Sequence, residues 1–184
     1  IEEEGNKLRD DELNKIAPLL AAVQQENISR QDRVKIIKEI QKQYPDYLAN
    51  QRADKVSIDQ IKAANESLIA SISKRAKAQA ALTELGKIYE RQVQLEIQLQ
   101  EDQNKTIDRR NELFAKGLSP AQVEKQLQVE ENVNNASKKI LQTELDTLKA
   151  QEQKIQNYIN EEGLVSEVTD AVVKNITAVK DNGK

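Results

Sequence analysis

A long stretch almost free of helix-breaking residues dominates this chain, and it ends at one chemically explicit turn. Between Gly5 and Gly117 there are only two prolines and one further glycine. The sequence then reads Gly117-Leu-Ser-Pro120 and continues without glycine or proline to Gly163. Because proline and glycine are the residues that most disfavour helix interiors, this spacing predicts two long helices joined by a short turn.

The residues of the turn agree with one another. Gly117 suits the left-handed position that ends a helix. Ser119 is a favourable N-cap, Pro120 a favourable first helical residue, and Gln122 completes a capping box. The predicted fold is therefore all-α, with a long antiparallel helical hairpin of the coiled-coil type that turns at residues 117–120 and short flanking amphipathic helices.

We expect the chain to divide into three regions. Residues 1–56 are predicted to form a cap of short helices with a Tyr-Pro-x-Tyr-Leu turn, residues 57–163 the hairpin, and residues 164–184 a C-terminal amphipathic helix. The composition agrees, since 32% of residues are charged and only 3% are aromatic. Such a chain favours long solvated helices over a compact core rich in aromatic side chains.

Two short helices are expected before the hairpin. The first is predicted over Asp10–Gln25, either kinked at Pro18 or broken there into two pieces. The second should begin after the N-cap Ser29, with Asp32 at the third helical position, and run to Gln43. We expect them to pack on each other or on the long hairpin.

The segment Tyr44-Pro-Asp-Tyr-Leu48 ends the second helix and allows two interpretations. Its two tyrosines could form a knob that docks onto a partner. Alternatively, the rings and Leu48 could plug the open end of the helical cap. The next helix is predicted to begin at Ser57, which forms a capping box with Gln60.

The outgoing helix of the hairpin carries two apolar faces. One consists of Leu82, Leu85, Tyr89, Val93 and Ile97, and the other of Ile88, Leu95 and Leu99. Two faces predict a helix sandwiched between neighbours or an assembly of several chains. The Ala-rich segment 76–81 should permit close helix approach, and Gly86 should mark a bend or a tight contact. Beyond Leu99 the polar sequence predicts a solvated or frayed end.

The returning helix is predicted from Pro120 to about Glu162, closed by Gly163, and it carries a heptad seam. Its positions are Leu127, Asn134, Leu141, Leu148 and Ile155, together with Glu131, Lys138, Leu145, Glu152 and Ile159. We expect Asn134 to fix the register, and the seam to be well packed over Leu141–Ile159 but loose near the turn. A last helix should present Val165, Val168, Val172, Ile176 and Val179, followed by a frayed end at 181–184.

Several function classes lack the residues they need. The net charge of −3 provides no basic field for nucleic acid, and no apolar run is long enough to span a membrane. The chain has no Cys and no His, and no phosphate loop or catalytic motif is present. The carboxylate pairs Asp10/Asp11, Glu130/Glu131 and Glu161/Glu162 are expected to be solvated. We therefore predict a protein that is not an enzyme, with no catalytic, cofactor-binding or metal-binding residues and no cofactor.

A family resemblance points to a more specific role. Its motifs are Arg33-Val-Lys-Ile-Ile-Lys-Glu-Ile-Gln41, Tyr44-Pro-Asp-Tyr-Leu48, then Ser57-Ile-Asp-Gln-Ile-Lys-Ala-Ala-Asn65 and Leu68-Ile69. In this order they resemble a segment of phage tail tape measure proteins from phages and prophages of Bacteroidetes. The resemblance covers residues 29–101, and the remainder is similar only in its Gln- and Lys-rich coiled-coil style.

The resemblance implies a large helical protein in the lumen of a phage tail tube, assembled in the bacterial host cytoplasm. Its length would set the tail length, it would leave with the DNA on ejection, and its partners would be tail-tube and tail-assembly proteins. The absence of Met and the start at Ile1 agree with a segment of a longer protein. Because a ruler works extended, the turn at 117–120 implies a folded region of that protein, or a segment that folds back without its partners.

Two other functions stay open from the sequence. One is a cytoplasmic coiled-coil or helical-hairpin interaction or scaffold module, which could also self-associate through its helical seams. The other is a helical regulatory domain of a larger enzyme.

Overall fold

The computed structural model describes residues 1–172, apart from the side chain of Val133, and within them it contains helices and no strand. The helices are α1 (Glu2–Val23), α2 (Arg30–Gln43), α3 (Ile58–Ala115) and α4 (Pro120–Glu161). Residues 165–172 are also helical and are called α5. The predicted all-α class with a long helical hairpin is confirmed. Ile176, Val179 and the end predicted at 181–184 lie outside the described residues.

The chain packs as two compact units. Unit 1 comprises Ile1–Leu82 together with the described residues from Ile159 onward, and unit 2 comprises Thr83–Tyr158. Helices α3 and α4 therefore each contribute residues to both units. Unit 1 also contains α1, α2 and α5.

Unit 1 has a continuous apolar core between α1, α2 and the first part of α3. Helix α1 begins at Glu2 rather than at the expected Asp10, and it runs through Pro18 as one helix, so the expectation of two pieces is wrong. The buried core residues are Ile16, Leu20, Val23, Ile37, Ile40, Tyr44, Tyr47, Leu48, Val56, Ile61, Leu68 and Ile72. The two short helices therefore pack against the beginning of α3, which is one of the two arrangements predicted from the sequence.

A close approach of α1 to α3 extends this core with small residues. A Cβ atom added to Gly5 would lie 3.4 Å from the Cα of Lys77 and 3.7 Å from the backbone oxygen of Ala76. Ala78 and Ala80 are buried beside this contact. The close approach predicted for segment 76–81 is confirmed, because only small side chains let two helix backbones come this near.

Side-chain caps begin three of the helices as predicted. The Ser29 hydroxyl accepts from the Asp32 amide at 3.1 Å. Ser57 and Gln60 form a reciprocal capping box, with N···O distances of 2.9 and 3.2 Å. At the hairpin turn, the Ser119 amide donates to the Gln122 side chain at 2.9 Å. These bonds satisfy amides that have no partner inside their own helix.

Both long helices end in the same glycine motif. Gly117 and Gly163 have φ values of 80° and 63°, in the left-handed region that a side chain disfavours. The amide of Leu118 donates to Leu113 at 3.4 Å, and that of Leu164 donates to Ile159 at 2.9 Å. These are the six-to-one bonds of the Schellman motif, which occupies carbonyls that the helix itself leaves free.

Unit 2 is an antiparallel pair made by the rest of α3 and most of α4. The Tyr89 hydroxyl donates to Glu152, a residue 63 positions away, at 3.0 Å. Nearer the turn, Arg109 donates to Glu130, only 21 positions away. The sequence separation of the contacting residues falls towards the turn, as it must in an antiparallel hairpin.

The packing along this pair departs from the prediction near the turn. Leu113, Val123 and Leu127 are buried there with Leu118 against them, so this end of the seam is not loose. Asn134 is exposed, which contradicts its predicted register-fixing place in the seam. The reason is that the weak part of the seam lies in the middle of the hairpin, where both helices contribute polar side chains.

Two expectations for α3 each gave two alternatives, and one alternative of each is wrong. The helix continues unbroken to Ala115, so the polar stretch beyond Leu99 is solvated and not frayed. A Cβ atom at Gly86 would meet nothing within 4 Å, which excludes the expected tight contact there.

Candidate interaction surfaces

The aromatic turn after α2 belongs to the core of unit 1. Tyr44, Tyr47 and Leu48 are 9%, 4% and 8% exposed, respectively. The interpretation of this turn as a plug is confirmed, and its interpretation as a docking knob is wrong, because the rings are not available to a partner.

A buried polar triad fixes this plug. The Tyr47 hydroxyl donates to the Asn65 side-chain oxygen at 2.6 Å, and the Asn65 amide donates to the Leu20 carbonyl at 3.3 Å. The triad therefore links the turn to α3 and α1. Burial raises the pKa of Tyr47 to about 12, because ionisation would place a charge in an apolar surrounding.

An open cleft of about 630 Å³ lies beside this plug in unit 1. The Tyr44 hydroxyl donates to Glu12 at 2.8 Å, and Arg75 donates to the same carboxylate oxygen at 3.0 Å while its guanidinium lies 5.4 Å from the centre of the Tyr44 ring. Burial, followed by the Glu12 hydrogen bond, raises the pKa of Tyr44 to about 12. The charged groups here satisfy one another, which indicates a structural network.

The middle of unit 2 holds a polar cleft of about 340 Å³, which we call the polar midsection. Asp102, Thr106 and Arg109 line it from α3, and Glu130 faces them from α4. Arg109 donates to both oxygens of Glu130 at 3.2 Å. Hydrogen bonds to Glu130 and Glu112 raise the pKa of Arg109, so this cation is permanently charged and already paired.

A third surface is an exposed face of α3, at whose edge the Tyr89 hydroxyl reaches Glu152 of α4. Five large apolar side chains there are 46–54% exposed, and we call this surface the outer stripe: Tyr89, Val93, Ile97, Ile107 and Phe114. Of the two apolar faces predicted for this helix, the one carrying Ile88 and Leu95 is buried against α4. Tyr89, Val93 and Ile97 of the other face are about half exposed.

The carboxylate pairs are exposed or ion-paired. Five of the six side chains are exposed, and the sixth, Glu130, is engaged by Arg109. In residues 1–172, no three acidic side chains converge in a way that could hold a metal ion. None of the described helices combines the length and apolar character that crossing a membrane requires.

Comparison of the chain with protein-family models, with curated proteins and with solved structures finds no match.

Proposed function

We propose that this chain is a structural helical segment of a phage tail tape measure protein. The single observation that carries the proposal is the motif order of residues 29–101, from Arg33 through the Tyr44–Leu48 turn to the helix begun by Ser57. In this role the segment sets length inside the tail tube and is released when DNA is ejected.

The structure of unit 1 is compatible with these motifs acting together. The segment Tyr44-Pro-Asp-Tyr-Leu48 and the capped start of α3 pack into one core, and Asn65 accepts the hydrogen bond of Tyr47. The three motifs of the resemblance are therefore parts of one folded element. A helix also converts residue count into distance, at about 1.5 Å per residue.

Deletion of unit 2 in the parent phage tests this role. Joining Leu82 to Ile159 through a short linker would remove about 75 residues. As one continuous helix, these residues would span roughly 110 Å. A tail shortened by about that length in electron micrographs supports an extended working state. Both ends of unit 2 join unit 1, so a hairpin that persists adds no length to the chain and its deletion would leave the tail length unchanged. Absence of the chain from purified virions overturns the proposal.

A matched control separates length from folding. Removing a similar number of residues from a tail protein outside the tube should leave the tail length unchanged. Mass spectrometry of purified virions adds an independent measurement, because a tape measure segment must be present in the particle before ejection and absent from the empty tail afterwards.

A second candidate is a helical interaction or scaffold module of the bacterial cell. The outer stripe favours it, because five half-exposed apolar side chains on one helix face are typical of a protein-binding surface. Absence of the chain from purified virions, together with its presence in a cytoplasmic complex, would favour this alternative over the tape measure.

A further inference from the structure

The outer stripe belongs to a regularly spaced set of uncharged residues along α3. Successive stripe positions are three or four residues apart, and they comprise Gly86, Tyr89, Val93, Ile97, Gln100, Asn104, Ile107, Asn111 and Ala115, with Phe114 at the edge. At about 100° per residue, they fall within roughly 120° of the circumference of α3. None of them is charged, although 32% of the chain is.

The residues of this stripe fit those of a second copy of the same stripe that runs in the opposite direction. If Gln100 lies opposite Gln100 of a second, antiparallel helix, Val93 lies opposite Ile107 and Tyr89 opposite Asn111. Phe114 then lies opposite Gly86, where an added Cβ atom would meet nothing within 4 Å. A large aromatic side chain of the stripe therefore meets its smallest residue.

A parallel alignment loses this fit. It would set Phe114 against Phe114 and Tyr89 against Tyr89, which holds the helices apart, and it would leave a gap where Gly86 meets Gly86. Antiparallel helices also bring opposite ends of their helix dipoles together, whereas parallel helices align like ends.

The polar residues beside the stripe agree with the same register. Glu96, the nearest charged residue on one side, would lie opposite Gln103 of the second copy, whose amide can donate to it. On the other side Glu90 and Asp108 would approach each other at the rim. That repulsion is screened by salt, so association should strengthen as ionic strength rises.

The area available is sufficient for a specific contact. Side chains of this size that are about half exposed present roughly 100 Å² each, so the five apolar residues offer roughly 500 Å² per copy. With the amide side chains between them, two copies would bury on the order of 1,400 Å², within the range of stable protein–protein interfaces.

We propose that the outer stripe of α3 is a homodimerisation surface that binds a second copy of this chain in antiparallel orientation, with Gln100 at the two-fold axis. The proposal depends on the geometry of unit 2 and not on the tape measure role. Measurements on the purified chain test it, and phage tail lengths do not enter them.

Sedimentation velocity over a range of concentrations gives the first measurement. The unaltered chain should form dimers, and Val93→Gln combined with Ile107→Gln should weaken the dimer at least about tenfold. The matched control is Ile140→Gln, which changes a side chain that is 65% exposed on α4. Equal circular dichroism and urea midpoints will establish that all variants fold.

Cysteine pairing decides the orientation, and the chain has no native cysteine to interfere. Val93→Cys mixed with Ile107→Cys should form a mixed disulfide much faster than either variant forms one with itself. Faster self-pairing of each variant would indicate a parallel dimer and overturn the proposal. A chain that stays monomeric at every concentration would also overturn it, and so would a dimer that Ile140→Gln weakens as much as the double variant does. Either result would assign the stripe to another partner.

Discussion

The two units are made from similar helices but bury their side chains in different ways. In unit 1, residues such as Ile16, Ile37 and Ile61 are 0% exposed, because three helices and a loop surround them. In unit 2 only two helices meet, and although Leu95 and Val123 are also 0% exposed there, fewer large side chains are fully buried than in unit 1. The polar midsection further divides that seam into two apolar parts. The number of helices that meet therefore decides how many large side chains are excluded from water.

The largest expected difference is in the response to core truncation. Leu20→Ala in unit 1 should cost about 3–4 kcal/mol, because the surrounding helices cannot collapse into the cavity. Leu145→Ala in unit 2 removes an equally buried side chain but should cost only about 2 kcal/mol, since water can enter a two-helix seam. Urea unfolding combined with amide hydrogen exchange in each unit measures both.

Equal losses for the two leucines would contradict the comparison. Ile140→Ala, at a position 65% exposed, is the surface control and should change stability by less than about 0.5 kcal/mol.

The buried triad of unit 1 gives the next largest effect. Asn65→Ala should destabilise unit 1 by about 2 kcal/mol, because it leaves the Tyr47 hydroxyl and the Leu20 carbonyl without their partner. Tyr47→Phe, which removes only the hydroxyl, should cost about 1 kcal/mol. Hydrogen exchange should show the loss in unit 1 and leave the amides of unit 2 unchanged.

The two buried tyrosines of the plug predict alkaline sensitivity. The pKa values of Tyr44 and Tyr47 are raised to about 12, above the ordinary value of 10.0. The contribution of these tyrosines to the free energy of unfolding is therefore complete below pH 10 and is lost as pH rises from 10 towards 12. Tyr47→Phe should flatten this loss when urea unfolding is measured across this pH range.

Two glycines of α3 and its turn should respond to alanine in opposite directions. Gly117→Ala forces a side chain into a φ of 80° and should cost about 1–2 kcal/mol. Gly86→Ala lies in the helix with open space around it and should stabilise unit 2 by about 0.5–1 kcal/mol. Thermal unfolding at low protein concentration, where the chain is monomeric, measures each shift, and shifts of the same sign would contradict the assignment.

The smallest effect is expected in the polar midsection. Hydrogen bonds from Lys116 and Arg109 lower the pKa of Glu112 to about 2. The contribution of Glu112 to the stability of unit 2 is therefore present above pH 4.5 and is lost as pH falls towards 2. Arg109→Gln should lower the urea midpoint of unit 2 slightly at low salt and leave it unchanged at high salt, because exposed pairs are screened. Loss of stability that persists in high salt would indicate that Arg109 acts through packing.

The sequence by itself determined where α2, α3 and α4 begin and where α3 and α4 end. Ser29, Ser57 and Ser119 cap helices, and Gly117 and Gly163 end them, because each of these contacts involves residues within a few positions along the chain. The antiparallel hairpin follows from the same local chemistry, since one short turn between two long helices leaves little choice of orientation.

Only the tertiary structure decided which residues are buried. It placed the aromatic turn in the core, left Asn134 exposed, divided α3 between two units and left the outer stripe about half exposed. The pattern along a helix shows that a face is apolar but not which helix approaches it. Burial depends on the arrival of residues distant in sequence, such as Leu20 beside Asn65, and that information is absent from local spacing.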